Sequence, residues 1–158
     1  MEFVYVTVIR TTPEKLWEAL TDTDLIRRYH EDTGPDADEW KPGAVVRWKM
    51  GPDYKDYGQR VLEAEPYRKL SYTWHNYTPE IAEMFGWSDE QLAEHQKEPI
   101  SQVTFESEQM GEGVRLTLTH DGFVPDSEML KAISEGWPVI LSNLKSLLET
   151  GSTIRLED

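Results

Sequence analysis

The chain has 158 residues, no cysteine, and 30 acidic against 16 basic residues, for a formal net charge of −14. This length predicts a single domain over residues 1–158, and the lack of cysteine excludes disulfides and thiolate metal sites. The acidity disfavours nucleic acid and anionic membranes as partners, and leaves either a well-solvated surface or steering toward a basic partner.

Residues 2–10 are rich in β-branched and aromatic side chains and predict a first strand. The segment lacks the basic start and the small-residue cleavage site of a signal peptide. No apolar run in the sequence is long enough to span a membrane. We therefore expect a cytoplasmic protein.

Two short helices are predicted next. Thr11 and Glu14 have the spacing of a capping box and indicate the start of the first helix. The second helix follows the break at Asp22, and the acidic, turn-rich stretch 30–43 is predicted to be a loop. The side chains expected to be buried in these helices are Leu16, Trp17, Leu20, Leu25, Ile26 and Tyr29.

Five further strands are predicted at 44–50, 57–65, 70–74, 101–107 and 114–120. Strand alternation assigns side chains to the two faces of the sheet, and His75 is expected to face outward. Gly111-Glu112-Gly113 predicts a hairpin between the last two strands. The inward side chains are expected to include Val46, Trp48, Met50, Tyr72, Trp74, Phe105, Leu118 and His120.

The stretch 76–99 predicts an insertion between two middle strands. Ser88 to Gln91 is a capping-box pattern, which indicates a helix over 89–97. An insertion of this length must dock on the rest of the protein. The apolar side chains expected to anchor it are Ile81, Met84, Phe85 and Trp87.

The C-terminal third predicts a helical segment at 126–135 and a long final helix that ends at Gly151. Glycine and proline are poor helix formers, so we expect a joint or kink near Gly136–Pro138, with Pro138 in the first turn of the final helix. The inward residues of the final helix include Trp137 and Leu141. An antiparallel sheet of about six strands needs one face covered, and only this helix is long enough. The sequence thus predicts an α+β helix-grip fold.

Six segments carry a resemblance to known proteins, in this order along the chain: 12–22, 40–43, 61–66, 70–75, 115–123 and 136–151. Together they resemble the SRPBCC (START/birch-pollen-allergen-like) superfamily. The resemblance is strongest to the branch of the C-terminal domain of the activator of the ninety-kilodalton heat-shock protein ATPase. The resemblance implies a cavity between sheet and terminal helix. The superfamily includes lipid carriers, polyketide cyclases and the chaperone activator domain, so the implied functions differ.

No catalytic, cofactor or metal motif is present: the four histidines are far apart, and no nucleophile elbow or phosphate-binding loop occurs. The cluster Glu31, Asp32, Asp36, Asp38 and Glu39 does not have EF-hand spacing and is interpreted as a solvated loop rather than a cation site. We expect no cofactor and no metal.

The favoured hypothesis is a non-enzymatic protein that binds a hydrophobic or aromatic small molecule between sheet and terminal helix. It requires a cavity larger than about 100 Å³, since ligand pockets usually measure several hundred. The expected ligand-binding residues are Trp48, Tyr72, Trp74, Phe105, Leu118, His120, Trp137 and Leu141.

Two alternatives remain. The first is a cyclase- or hydrolase-like enzyme that uses His120 as a general acid or base, which requires His120 to line a pocket. The second is a co-chaperone-like interaction module, or a homodimer, with an exposed apolar patch at Met84, Phe85 and Trp87.

Overall fold

The computed structural model describes residues 1–49, 51–75 and 77–155. Met50, predicted to face inward, and Asn76, the first residue of the predicted insertion, lie outside these ranges. The strands are β1 Phe3–Ile9, β2 Gly34–Asp36, β3 Val45–Lys49, β4 Tyr54–Glu65, β5 Lys69–Trp74, β6 Ser101–Met110 and β7 Gly113–Asp121. The helices are α1 Pro13–Thr21, α2 Thr23–Tyr29, α3 Pro79–Phe85, α4 Asp89–His95 and α5 Glu128–Thr150.

The strands form one antiparallel sheet in the order β1-β7-β6-β5-β4-β3-β2, curled into a half-barrel, which confirms the helix-grip prediction. The sheet has seven strands instead of about six, because β2 forms inside the predicted loop and pairs with β3. Gly34 explains why: its φ is 106°, and a Cβ there would lie 2.9 Å from side-chain atoms of Ile26 and His30. Glycine thus permits a close strand–helix contact that the turn-like composition conceals.

The two predicted N-terminal helices are confirmed, with a correction at the first cap. The capping residue is Thr12 and not Thr11: its Oγ1 accepts a hydrogen bond of 3.2 Å from the backbone amide of Lys15. Helix α1 therefore begins one residue later than predicted. Asp22 caps α2 by accepting the amide of Leu25. Together α1 and α2 contact both α5 and the sheet.

The predicted division of the C-terminal third into two helices is wrong, since α5 is a continuous helix of 23 residues with Pro138 inside it. Ser127 caps its start, and Gly151, at φ 84°, ends it as predicted. Its buried face runs from Met129 to Leu147, about five turns. Burying one large apolar side chain contributes about 1.5–3 kcal/mol, so packing along this face outweighs the roughly 3 kcal/mol cost of proline. The buried apolar residues are Met129, Ile133, Trp137, Leu141, Leu144 and Leu147. Neither α5 nor any other helix in the described ranges has the length and apolar character to cross a membrane.

The insertion holds two short helices, α3 and α4, instead of one. The capping box of Ser88 and Gln91 is confirmed, and α4 ends at His95. The anchoring prediction is only partly right: Ile81 is buried, but Met84 and Phe85 are 76% and 44% exposed. The main anchor is Tyr77, whose hydroxyl lies 3.2 Å from Ser127 Oγ and accepts the amide of Met129 at 3.2 Å. The insertion is therefore attached to the first turn of α5.

Candidate functional site

Most of the predicted ligand-binding side chains form packed core. Neighbouring rings lie in tilted or edge-on contact, for example Trp48 and Trp74 with centroids 4.5 Å apart. Such contacts are typical of aromatic residues that fill a core. Those that lie in the core and do not line the cavity described below are Trp48, Tyr72, Phe105, Leu118, His120 and Leu141.

His120 is fully buried, and protein atoms engage both of its ring nitrogens. Trp137 Nε1 donates to His120 Nδ1 at 2.9 Å, and His120 Nε2 lies 2.9 Å from Ser101 Oγ. Because an indole can only donate, Nδ1 carries no proton and Nε2–H donates to the serine. Burial lowers the pKa of His120 to about 3. A neutral histidine enclosed in this way does not line a pocket, so the geometry does not support the acid/base alternative.

A cavity of about 200 Å³ opens between α5, α3 and the end of β5, and we call it the α5 pocket. Of the predicted site residues, Trp74 and Trp137 line it, with ring centroids 5.2 Å apart. Its volume exceeds the minimum that the binding hypothesis requires. The other lining residues are His75, Ile81, Met129, Ala132, Ile133, Gly136 and Ile140.

The pocket exists because two small residues lie one turn apart on α5. Ala132 and Gly136 share a helix face, and a Cβ added at Gly136 would meet no atom within 4 Å. Glycine costs about 1 kcal/mol inside a helix relative to alanine. Here it leaves unfilled the space between α5 and Ile81 of α3. In the sequence, Gly136 is recognisable only as a helix breaker, and no pattern of residues signals this role.

His75, predicted to face outward, is buried at the pocket, which corrects that prediction. Strand β5 ends at Trp74, so the alternation of faces does not extend to His75, which stacks on Trp74 with centroids 5.0 Å apart. Burial lowers the pKa of His75 to about 3. Its Nδ1 and the Nε1 of Trp74 have no hydrogen-bond partner among the described residues. Two residues that line an apolar pocket therefore each contain a buried, unsatisfied nitrogen.

An ion pair attaches α3 to the sheet beside the pocket. Lys55 Nζ of β4 donates to Glu80 Oε1 at 2.8 Å, and this contact lowers the pKa of Glu80 to about 2. Glu80 lies one residue before Ile81, which forms the pocket wall. The position of that wall thus depends on a charged contact at the surface.

The predicted apolar patch at Met84, Phe85 and Trp87 is present in part, and we call these three residues the Met84 patch. Met84 and Phe85 are exposed, whereas Trp87 is half-buried and packs against the core. Phe85 stacks on Trp87 with centroids 5.0 Å apart, and Trp87 stacks on His95 at 3.9 Å. Met84 is the most exposed large apolar side chain of the three. Two of its three side chains therefore face solvent.

The acidic stretch 31–39 forms ion pairs in place of a cation site. Arg47 NH2 lies 2.7 Å from Asp36 Oδ2 and 2.6 Å from Asp38 Oδ1, and Arg27 bonds Asp32 at 2.7 Å. Across the described part of the chain, no cluster of three or more His, Asp or Glu residues could hold a metal ion.

Comparisons with known proteins agree with this fold. Residues 10–149 match the family model described as activator of Hsp90 ATPase homolog 1-like protein. A solved structure from Mesorhizobium loti is 26% identical, covers 94% of this chain and 96% of its own, and has a TM-score of 0.71. A search of proteins of curated function finds no match.

Two further structures share the fold at lower identity. The Aha1 dimer from Colwellia psychrerythraea is 18% identical over 96% of this chain and 98% of its own, with a TM-score of 0.70. An HSP90 activator from Plasmodium falciparum is also 18% identical, over 94% of this chain and 96% of its own, with a TM-score of 0.67.

Proposed function

The chain belongs to the family of activator of Hsp90 ATPase homolog 1-like proteins, and on this premise we propose that it binds a small apolar or aromatic molecule in the α5 pocket. The observation that carries the proposal is the gap at Gly136, which faces two tryptophans instead of being filled. Glycine inside a helix lowers the stability of the protein, and an open apolar pocket that binds a ligand gives a reason for its presence here.

The size and chemistry of the pocket indicate the kind of ligand. A protein cavity of about 150 Å³ binds benzene, so about 200 Å³ suits a molecule with one or two rings. The lining residues carry no formal charge at neutral pH, because His75 is neutral. A neutral aromatic molecule therefore fits better than an anion, which the net charge of −14 would also repel.

The experiment that tests the proposal fills the pocket without disturbing the fold. In Gly136→Leu the new side chain occupies the gap, and the free space around Gly136 lets the helix accept it. Binding of indole and of 2-naphthol is measured by titration of the ¹⁵N-labelled protein. We expect saturable shifts at the indole N–H signals of Trp74 and Trp137 in the wild type, and their loss in Gly136→Leu.

The control is Glu135→Leu, which adds the same side chain on the exposed side of α5. It should bind both probes as the wild type does. Equal binding by Gly136→Leu and the wild type would overturn the assignment of the ligand to the α5 pocket.

A second candidate function is a protein-interaction module that uses the Met84 patch. It is supported by the 76% exposure of Met84 and by the stacked Phe85 and Trp87 rings. The similar Plasmodium falciparum structure is an HSP90 activator, which makes Hsp90 the partner to test. Met84→Ser/Phe85→Ser should abolish any stimulation of the ATPase of purified Hsp90 from the same organism. Gly136→Leu should leave that stimulation unchanged, which separates the two functions.

A further inference from the structure

Strand β1 is the outer strand at one end of the sheet, and its free side has an unusual composition. Residues Phe3–Ile9 contain no charge and no proline, although natural edge strands commonly carry charges or proline that prevent pairing. Val4, Val6 and Val8 are 48%, 53% and 48% exposed. In a chain of net charge −14, a neutral valine stripe on an edge strand needs an explanation.

The backbone groups of the even-numbered residues point toward this free edge. Lys145 Nζ donates to the carbonyl of Val8, and the amide of Arg10 donates to Glu149 Oε2 at 2.8 Å. In an antiparallel strand, alternate residues direct both N–H and C=O to the same side. Val4 and Val6 therefore direct theirs to the free edge too, where the described residues supply no neighbouring strand.

The charges that flank the stripe are arranged for pairing with an identical strand. A two-fold axis through Val6 places Val4 opposite Val8 of the second copy. The same axis places Glu2 opposite Arg10 of the second copy, and Arg10 opposite the second Glu2. Glu2 and Arg10 are both exposed and directly flank the two ends of β1. The edge is thus complementary to itself in both shape and charge.

We propose that a second copy of this chain pairs antiparallel with β1 along this edge, in the register centred on Val6. The two sheets then join into one, and the dimer is closed because each copy uses its only β1 edge. Lys145 and Glu149 give up their backbone contacts to β1 on pairing. The ion pair between these two side chains is kept, because Lys145 Nζ lies 2.9 Å from Glu149 Oε2.

Sedimentation velocity across protein concentrations tests the proposal. One strand pair is a small interface, so we expect a dimer that dissociates at about micromolar concentration. Val6→Lys places two like charges at the axis and should give a folded monomer, checked by circular dichroism. Lys145→Ala/Glu149→Ala removes the side chains that compete for the edge and should raise the dimer fraction.

Charge exchange tests the register. Glu2→Arg and Arg10→Glu each place like charges opposite one another at two symmetric positions, and each should weaken the dimer about tenfold. The double exchange Glu2→Arg/Arg10→Glu should restore it. Arg10 also contacts Glu112 at 3.0 Å within the chain, so Glu112→Gln is the control and should dimerise as the wild type does.

Three results would overturn the proposal: a wild type that stays monomeric at high micromolar concentration, a dimer that Val6→Lys leaves intact, or open-ended assemblies in place of a dimer. If the chain stays monomeric and binds an extended peptide at this edge, the edge serves a different partner. That result would also overturn the proposal of a homodimer.

Discussion

The contact between His120 and Trp137 links the sheet to the helix at the level of single atoms. Trp137 lines the α5 pocket with its ring and donates its N–H to a histidine behind it. The hydrogen bond fixes the orientation of the ring, because the histidine is itself held by Ser101. The wall of the pocket is therefore preorganised on the Trp137 side.

We predict that Trp137→Phe destabilises the protein more than Trp74→Phe does. The first substitution leaves His120 Nδ1 buried without a donor, which costs about 1–3 kcal/mol. The second removes an N–H that has no acceptor among the described residues and so loses no hydrogen bond. Urea unfolding followed by circular dichroism measures both variants. Equal losses of unfolding free energy would show that the hydrogen bond contributes nothing net.

Whether a site residue could be predicted from the sequence depends on whether it lies inside a strand or a helix. Trp74 and Trp137 lie within a strand and a helix, so periodicity assigned both to the interior. His75 lies one residue past the end of β5, where alternation no longer holds. Gly136 defines the pocket by having no side chain, and no pattern of apolar residues reveals a gap.

At the level of elements, α5 shows how tertiary packing overrides local propensity. Gly136 and Pro138 both disfavour helix, so the local sequence predicts a joint or kink there. The apolar face continues through both residues from Met129 to Leu147 and is buried along its length. The strands were predicted well because their alternation is local. Strand β2 and the continuity of α5 depend on distant contacts, which a local pattern does not contain.

We predict that Pro138→Ala stabilises the protein by about 2 kcal/mol. Alanine supplies the N–H that the carbonyl of Ser134 lacks, and the gain of about 3 kcal/mol is reduced by the greater freedom of the unfolded chain. Pro138 does not line the α5 pocket, so ligand binding should be unchanged. Thermal unfolding and the indole titration measure the two effects.

Gly136→Ala is the matched comparison for Pro138→Ala. It should stabilise the helix by about 1 kcal/mol and weaken indole binding, because its methyl group enters the pocket. A Pro138→Ala protein no more stable than the wild type would mean that α5 bends around the proline in a way that alanine does not relieve.

At the level of the whole molecule, the docking of the insertion couples the α5 pocket to the start of α5. Tyr77 bonds Ser127 and Met129 at that start, while Ile81, four residues later, forms a pocket wall. Tyr77→Phe removes one hydroxyl and should cost about 1–3 kcal/mol, since it leaves the amide of Met129 without this partner. In this variant we expect amide hydrogen exchange to accelerate, relative to the wild type, more in α3 than in the sheet. Uniform acceleration over the whole protein would contradict a local role.

The buried histidines determine how the whole protein responds to acid. Burial lowers the pKa of His30 to about 4 and those of His75 and His120 to about 3. In the folded state all three stay neutral as the pH falls, whereas in the unfolded state each takes up a proton near its ordinary pKa of about 6.5. The contribution of these histidines to stability is therefore fully present above pH 6.5 and is lost as the pH falls toward their pKa values in the folded protein.

We predict that the free energy of unfolding falls between pH 6.5 and pH 5 with a slope approaching about 4 kcal/mol per pH unit, the value for three protons taken up on unfolding. The lowered pKa of Glu80, about 2, adds a loss of the same sign only at lower pH, where carboxylates of the unfolded chain protonate. Urea unfolding at closely spaced pH values measures the slope. His120→Gln should reduce the slope by about one third, because one of the three proton uptakes is gone. A slope that is flat over this range would mean that the histidines gain access to water and protonate in the folded protein.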